Sequence, residues 1–294
     1  MVQPEKTNSN PEILENFNQE AFMSEVSELV TPERQKIVEQ LCEAPWFQAT
    51  DPELQRMLAT LPDTGAENHD GFLQDLANRP SNVGGVTVKK MIDLPHGNFA
   101  LLPVFEVENP QTGQNYTYEY ISWRYGPQSG AKGIVFVRPP IPGASPTHFI
   151  TLVGERFAPG RKTHDAIGGF ADIGVKGVQN LLHRFEAEIR EETGVTDLSI
   201  DEVSDLGPLQ TDTGMTNNRP NLFTAYIDTE EAARIPEKPV NGDIYELDTG
   251  ALVIPMQKLK EFILENTDAF FQAAMLKAIA KGEIPYEWLT RTTP

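Results

Sequence analysis

The chain has 294 residues, 39% of them apolar, with 43 acidic against 24 basic side chains and a net charge of −19. That composition supports one large or two ordinary cores and excludes wholesale disorder, and the acidic balance excludes non-specific binding to nucleic acid, which needs a basic face. The single cysteine, Cys42, excludes an internal disulfide framework and a Cys-rich zinc site, and reads as a small helical hydrophobe.

In chain order, "MVQPEKTNSN" reads as a polar leader. Met1 to Asn18 lacks the apolar stretch of a secretory signal, and no later run approaches the ~20 residues that span a bilayer. A soluble, cytoplasmic protein with no membrane partner is expected. Three helices then share one way of starting: Asn10–Pro11, Thr31–Pro32 and Asp51–Pro52 each put a capping side chain before a first-turn proline. Asp63 to Gly71 reads as a loop, and "FLQDLANRP" as a short helix stopped by Pro80. Near residue 82 the pattern turns to strands. "GGVTVKKMIDL" is one, and Phe99–Tyr125 is a hairpin folded at "NPQTGQ". "KGIVFVRPP" and "THFITLVGERF" are buried strands, followed by a loop, "APGRKTHDAIGG". A helix over 178–193, strands near Leu222–Ile227 and Ala251–Ile254, and helices starting near Met256 and Thr267 complete the chain. The expected class is α/β (α+β), with a mixed sheet covered by helices. The expected segments are a helical extension over 1–82, a β-hairpin and strand subdomain over 83–140, and a larger domain over 141–294.

The stretch that carries chemistry is "FEAEIREETGV", Phe185–Val195. Val178, Leu181, Leu182, Phe185 and Ile189 fall on one helical stripe that faces the core. At ~100° per residue, Glu188, Glu191 and Glu192 fall within an arc of about 100° that borders this stripe, with Glu186 on the other flank. Glu188 makes like-charge pairs with Glu191 and Glu192 at i,i+3 and i,i+4, each costing a few tenths of a kcal/mol. All three sit near the negative end of the helix dipole, where an anion loses roughly 0.3–1 kcal/mol, and Gly194 fixes that end as a left-handed stop. The run reads either as a solvated acidic face or as oxygen ligands for a hard divalent cation. Its place beside the apolar stripe, and the glycine pair Gly168–Gly169 at the preceding strand end, favour the second reading.

"EIREETG", Glu188–Gly194, resembles the second half of the Nudix signature, G-x5-E-x7-R-E-U-x-E-E-x-G-U, with Glu188, Ile189, Glu191, Glu192, Gly194 and Val195 in register. "AIGGF" is similar to the strand end before that family's helix. "ENPQTGQNYTYEYISW", "HFITLVGERFAPGRKTHDAIGGF" and "PLQTDTGMTNNRPNLFTAYI" are similar to segments of its ADP-ribose pyrophosphatases. The likeness covers roughly residues 85–290; residues 1–80 resemble no named segment. It implies a Nudix-type α/β/α sandwich with a helical N-terminal extension. It also implies hydrolysis, with Mg2+ or Mn2+, of the diphosphate bond in a small-molecule nucleoside diphosphate derivative, ADP-ribose or a related nucleotide sugar first. Glu188, Glu191 and Glu192 would be the catalytic, metal-binding residues. Gly168 and Gly169 would shape the loop at the diphosphate. Arg156 and Arg161 would meet a terminal phosphate or ribose, a role to set beside that of ordinary surface arginines. Asp243 or Glu246 could supply a downstream base, and a homodimer is implied.

The sequence also departs from the signature. The family arginine falls on Ala187, its first glutamate on Gln179 and its opening glycine on Ile173; no glutamate occurs between Phe157 and Phe185. These departures keep a second reading open, a domain that binds a nucleotide ligand without cleaving it and serves as an interaction or regulatory module. The five histidines have no ligand spacing, and "GGFADIG" lacks the lysine of a phosphate loop.

Overall fold

A computed structural model describes residues 17–128, 130–141, 143–170, 177–236 and 249–290. It forms two compact units, Met1–Arg124 and Tyr125–Pro294. Among the described residues no helix is long and apolar enough to cross a membrane.

The first unit opens with α1 (Gln19–Val26), whose cap is Asn18, accepting the Ala21 N–H; the expected Asn10–Pro11 start lies outside the described residues. Thr31 caps α2 (Pro32–Cys42) by accepting the Arg34 N–H, and α3 (Pro45–Gln48) follows. Asp51 caps α4 (Pro52–Ala59) by accepting the Glu53 N–H. Proline thus stands where a helix has no use for an N–H. The last helix, α5 (Asp70–Ala77), begins inside the stretch expected as loop. Strands β1 (Asn82–Val83), β2 (Val86–Asp93), β3 (Ala100–Leu101), β4 (Val104–Asn109), β5 (Gln114–Glu119) and β6 (Ser122–Trp123) come next. A four-stranded antiparallel sheet has the order β1-β2-β4-β5, and β3 pairs β6 separately. Residue 82 does not separate two bodies, because Val88, Met91, Phe105 and Val107 share one core with Leu41, Trp46, Phe47 and Phe72. Arg34 is fully buried there. Its Nε donates to Asp70 Oδ1 at 2.5 Å, and its terminal nitrogens donate to the carbonyls of Ala59, Leu61 and Pro62. All three guanidinium nitrogens of Arg34 thus have an acceptor within the fold.

The second unit contains β7 (Ala131–Arg138), β8 (His148–Arg156), β9 (Arg161–Asp165), α6 (Val178–Thr193), β10 (Glu202–Pro208), β11 (Asn221–Asp228), α7 (Thr229–Ala232), β12 (Gly250–Pro255), α8 (Leu259–Glu265), α9 (Ala269–Ala280) and α10 (Glu287–Thr290). Its sheet order is β10-β11-β7-β8-β12, with β9 also on β8. Only β11 and β7 run parallel, so the sheet is mixed, as expected. Successive residues of β7 enter opposite cores. Val135 and Val137 pack with Leu181, Phe185 and Ile189 of α6, while Ile134 and Phe136 pack with Leu259, Phe271 and Met275 of α8 and α9. A sheet buried on both faces reads as a continuous apolar run, and "GIVFV" is one. This is an α/β/α sandwich, and β7 lies in its core although the sequence grouped it with the preceding hairpin.

Two expectations are corrected here. Residues 161–165 form a strand, because their backbone continues the β8 ladder past a tight turn, from Leu152↔Asp165 to Arg156↔Arg161. Val178 is not part of the buried stripe; at the first position of α6 it is 46% exposed, and burial begins at Leu181.

The seat of α6 depends on Gly133. A Cβ at this position would lie 2.2 Å from the Phe223 carbonyl oxygen and 2.6 Å from Phe185 Cζ. Phe185 stacks on Phe223 with ring centroids 5.4 Å apart. Gly133→Ala is expected to destabilise the protein by about 3 kcal/mol, the upper end of the usual overpacking cost, because backbone blocks one direction of relief. Urea unfolding of the full chain measures this.

Candidate functional site

The site is built where β7 and β8 part. Beyond Val135 the partner of β7 is no longer β8 but the returning segment after β9. Gly133 and Ile167 exchange N–H···O bonds of 2.8 and 3.0 Å, and the Ala131 N–H donates to the Gly169 carbonyl at 3.0 Å. Gly168 has φ +128°, and a Cβ there would stand 2.1 Å from the Ala131 carbonyl oxygen, so both conformation and space require glycine. The run into this turn is tied from the far side of the unit. Asp268, the N-cap of α9, accepts the Ala166 N–H at 2.7 Å, and Asn266 Nδ2 donates to the His164 carbonyl at 3.1 Å.

Helix α6 lays its last turns over this segment, and Gly194 ends it with φ 72° as expected. The three predicted glutamates differ in surroundings. Glu188 is 6% exposed and lies against the missing side chain of Gly169: a Cβ there would be 2.2 Å from Glu188 Oε1. Glu192 Oε2 accepts the Gly168 N–H at 2.8 Å. Glu191 has a side chain 59% exposed. The structure therefore brings Glu188, Glu192, Gly168 and Gly169 together, with Glu191 at the rim.

Two cations enter this cluster that sequence reasoning did not single out. Arg184 Nη2 donates to Glu188 Oε1 and, at 3.4 Å, to Glu191 Oε2, while its Nε donates to the Phe170 carbonyl at 3.0 Å. Lys132 Nζ, from β7, donates to the Gly168 carbonyl. Arg184 was findable, because it stands i,i+4 before Glu188. Lys132 was not, because nothing near it in sequence shows which loop crosses the strand. Burial pushes the Glu188 carboxyl above its ordinary range, and burial prevails over Arg184 and then Lys132, which both favour the charged form.

The donor chemistry is all carboxylate oxygen, the set that a hard cation takes. Among the described residues, however, no group of three or more His, Cys, Asp or Glu side chains is placed to hold an ion. Glu192 is engaged with the backbone. The carboxylates of Glu188 and Glu191, both on Arg184 Nη2, are the oxygens that would hold an ion here, with water and ligand phosphates in its remaining positions. The arrangement does not fit a closed cage of three carboxylates.

Arg156 and Arg161 face each other across β8 and β9 at the tip of that hairpin. Arg156 Nε donates to Asp165 Oδ2 at 2.6 Å, and Arg161 Nη2 to Thr267 Oγ1 at 3.1 Å. The β7–β8–β9 register puts both at the end of the sheet where the glycine turn lies. Asp243 and Glu246 lie outside the described residues.

The raised Glu188 pKa has a measurable consequence in metal-free protein. The fold prefers the protonated carboxyl, so this stabilisation is complete below the unfolded-chain value of about 4.3 and is lost as pH rises through the higher folded value. Glu188→Gln, which cannot ionise, is expected to match wild type at pH 4 and to be the more stable protein at pH 7.5; urea unfolding at the two pH values reads the crossover. No family model matches the sequence, and no curated protein matches it. Among solved structures, one described as a crystal structure of an ADP compounds hydrolase overlaps 67% of this chain and 95% of its own, with 15% identity and a TM-score of 0.48.

Proposed function

We propose that this protein is a Nudix-type pyrophosphohydrolase. It cleaves the diphosphate bond of a nucleoside diphosphate linked to another moiety, ADP-ribose or a related nucleotide sugar first, with Mg2+ or Mn2+. The observation that carries the reading is the carboxylate of Glu188, buried against Gly169 in space that any other residue there would fill. An acid placed at such cost beside a glycine turn, in a run that matches the Nudix signature at Glu188, Glu191, Glu192 and Gly194, is supported better by ligand chemistry than by solubility.

Glu188 and Glu191 would hold the ion, which when bound neutralises diphosphate charge and lowers the pKa of the attacking water. Glu192 holds the Gly168 N–H, and with it the turn that approaches the diphosphate. One of the three glutamates, Glu188, Glu191 or Glu192, would accept the proton of the attacking water. Arg156 and Arg161, at the hairpin tip, are the candidates for the distal phosphate or ribose.

The test is incubation of the full chain with MgCl2 and a panel of nucleoside diphosphate derivatives, with phosphate-bearing products measured. Turnover of at least one nucleotide sugar is expected. Glu188→Gln is expected to abolish it while leaving the protein folded, because the amide keeps the shape of the side chain but carries no charge with which to hold the ion. Retained turnover in that variant removes the carboxylate from the mechanism.

One observation favours a second reading. Arg184 already supplies a counter-charge to Glu188 and Glu191, and Ala187 leaves the signature's arginine position without a charge. A domain so balanced could bind a nucleotide ligand without cleaving it. Ala187→Arg separates the two: a gain in hydrolysis of tenfold or more marks a decayed catalytic site, and unchanged hydrolysis together with ligand binding marks a binding module.

A further inference from the structure

The geometry points to Arg184 as the positioning residue of this site, fixing the Glu188 and Glu191 carboxylates relative to the Gly168–Phe170 turn; the inference rests on the metal-dependent reading above. Three bonds carry it. Nη2 lies between Glu188 Oε1 and Glu191 Oε2, so one nitrogen sets two side chains that leave the helix almost one turn apart. Nε donates to the Phe170 carbonyl at 3.0 Å, which ties the same guanidinium to the backbone beside Gly169. A guanidinium is planar, so donors on its Nε and Nη2 are fixed relative to each other. The distance from helix to turn is thereby set by a rigid group.

The alternatives give different contacts. A surface arginine would have its guanidinium in water, but the Arg184 side chain is only 22% exposed. A lysine here could neutralise the two glutamates as a point charge, but it has no second nitrogen at a fixed angle for the Phe170 carbonyl. Arg184 also precedes every residue of the chain that matches the signature. Its role follows from where its nitrogens lie.

The test uses the full chain, MnCl2 as the ion and ADP as a diphosphate probe, with free Mn2+ followed by electron paramagnetic resonance and turnover followed on the best substrate of the panel. Arg184→Met is expected to weaken Mn2+ binding in the presence of ADP by about 10–100-fold, the usual effect of removing a residue that orients a metal ligand. It is also expected to lower kcat with little change in KM. Arg184→Lys restores the charge without the second tether and is expected to recover only part of the affinity. It also keeps the inference testable should the methionine variant fail to fold. Unchanged or tighter Mn2+ binding in Arg184→Met overturns the inference, because the guanidinium would then be a bystander or a competing cation. Full wild-type affinity in Arg184→Lys overturns the rigid tether as its basis. A wild-type protein that binds no Mn2+ even with ADP overturns the metal reading itself, an outcome distinct from the other two.

Discussion

Helix α6 can approach the sheet closely because residue 133 has no side chain. Phe185 fills that space and stacks on Phe223, and the depth it sets is inherited by everything one turn further along. Glu188 follows Phe185 by three residues, so lowering one lowers the other. The acid reaches the glycine turn only because the aromatic ring goes in first. A second missing side chain, at Gly169, then receives the carboxylate. Two glycines on neighbouring segments thus let an amphipathic helix bury one acid of its edge, Glu188.

Burying a carboxylate is unfavourable unless it is paired and hydrogen-bonded, and the structure answers with Arg184 and Lys132. These account for the crowding of acids near a helix C-terminus, where the dipole opposes them. The repulsion is offset within the protein, in part by a guanidinium and in part by the Gly168 amide that binds Glu192.

Much of this was legible in the sequence, for local reasons. Capped prolines announced the helices at Thr31 and Asp51, because capping is decided within one turn. The apolar run of β7 announced a strand covered on both faces. The acidic arc and the Gly168–Gly169 pair were visible as helical period and backbone licence. What escaped depended on distant segments. Strand β9 has mostly polar residues, and it is a strand only because β8 offers it a ladder. The extent of the first unit depends on Trp46 meeting Phe105, ring centroids 5.4 Å apart, across a long stretch of chain. Lys132 was masked by the apolar strand around it. Val178 failed for the opposite reason: periodicity assigned it a face, but burial begins one turn later.

The inward turn of Arg184 and Lys132 also changes what a visitor meets on approach. In a chain of net charge −19 the excess of acid makes the long-range field repulsive to an incoming anion, and at short range the Arg184 and Lys132 nitrogens already have acceptors of their own. Capture is then governed by contacts made after arrival. Encounter with a polyphosphate is expected to quicken as added salt shortens the Debye length, the reverse of the behaviour of proteins that draw anions in through a basic funnel.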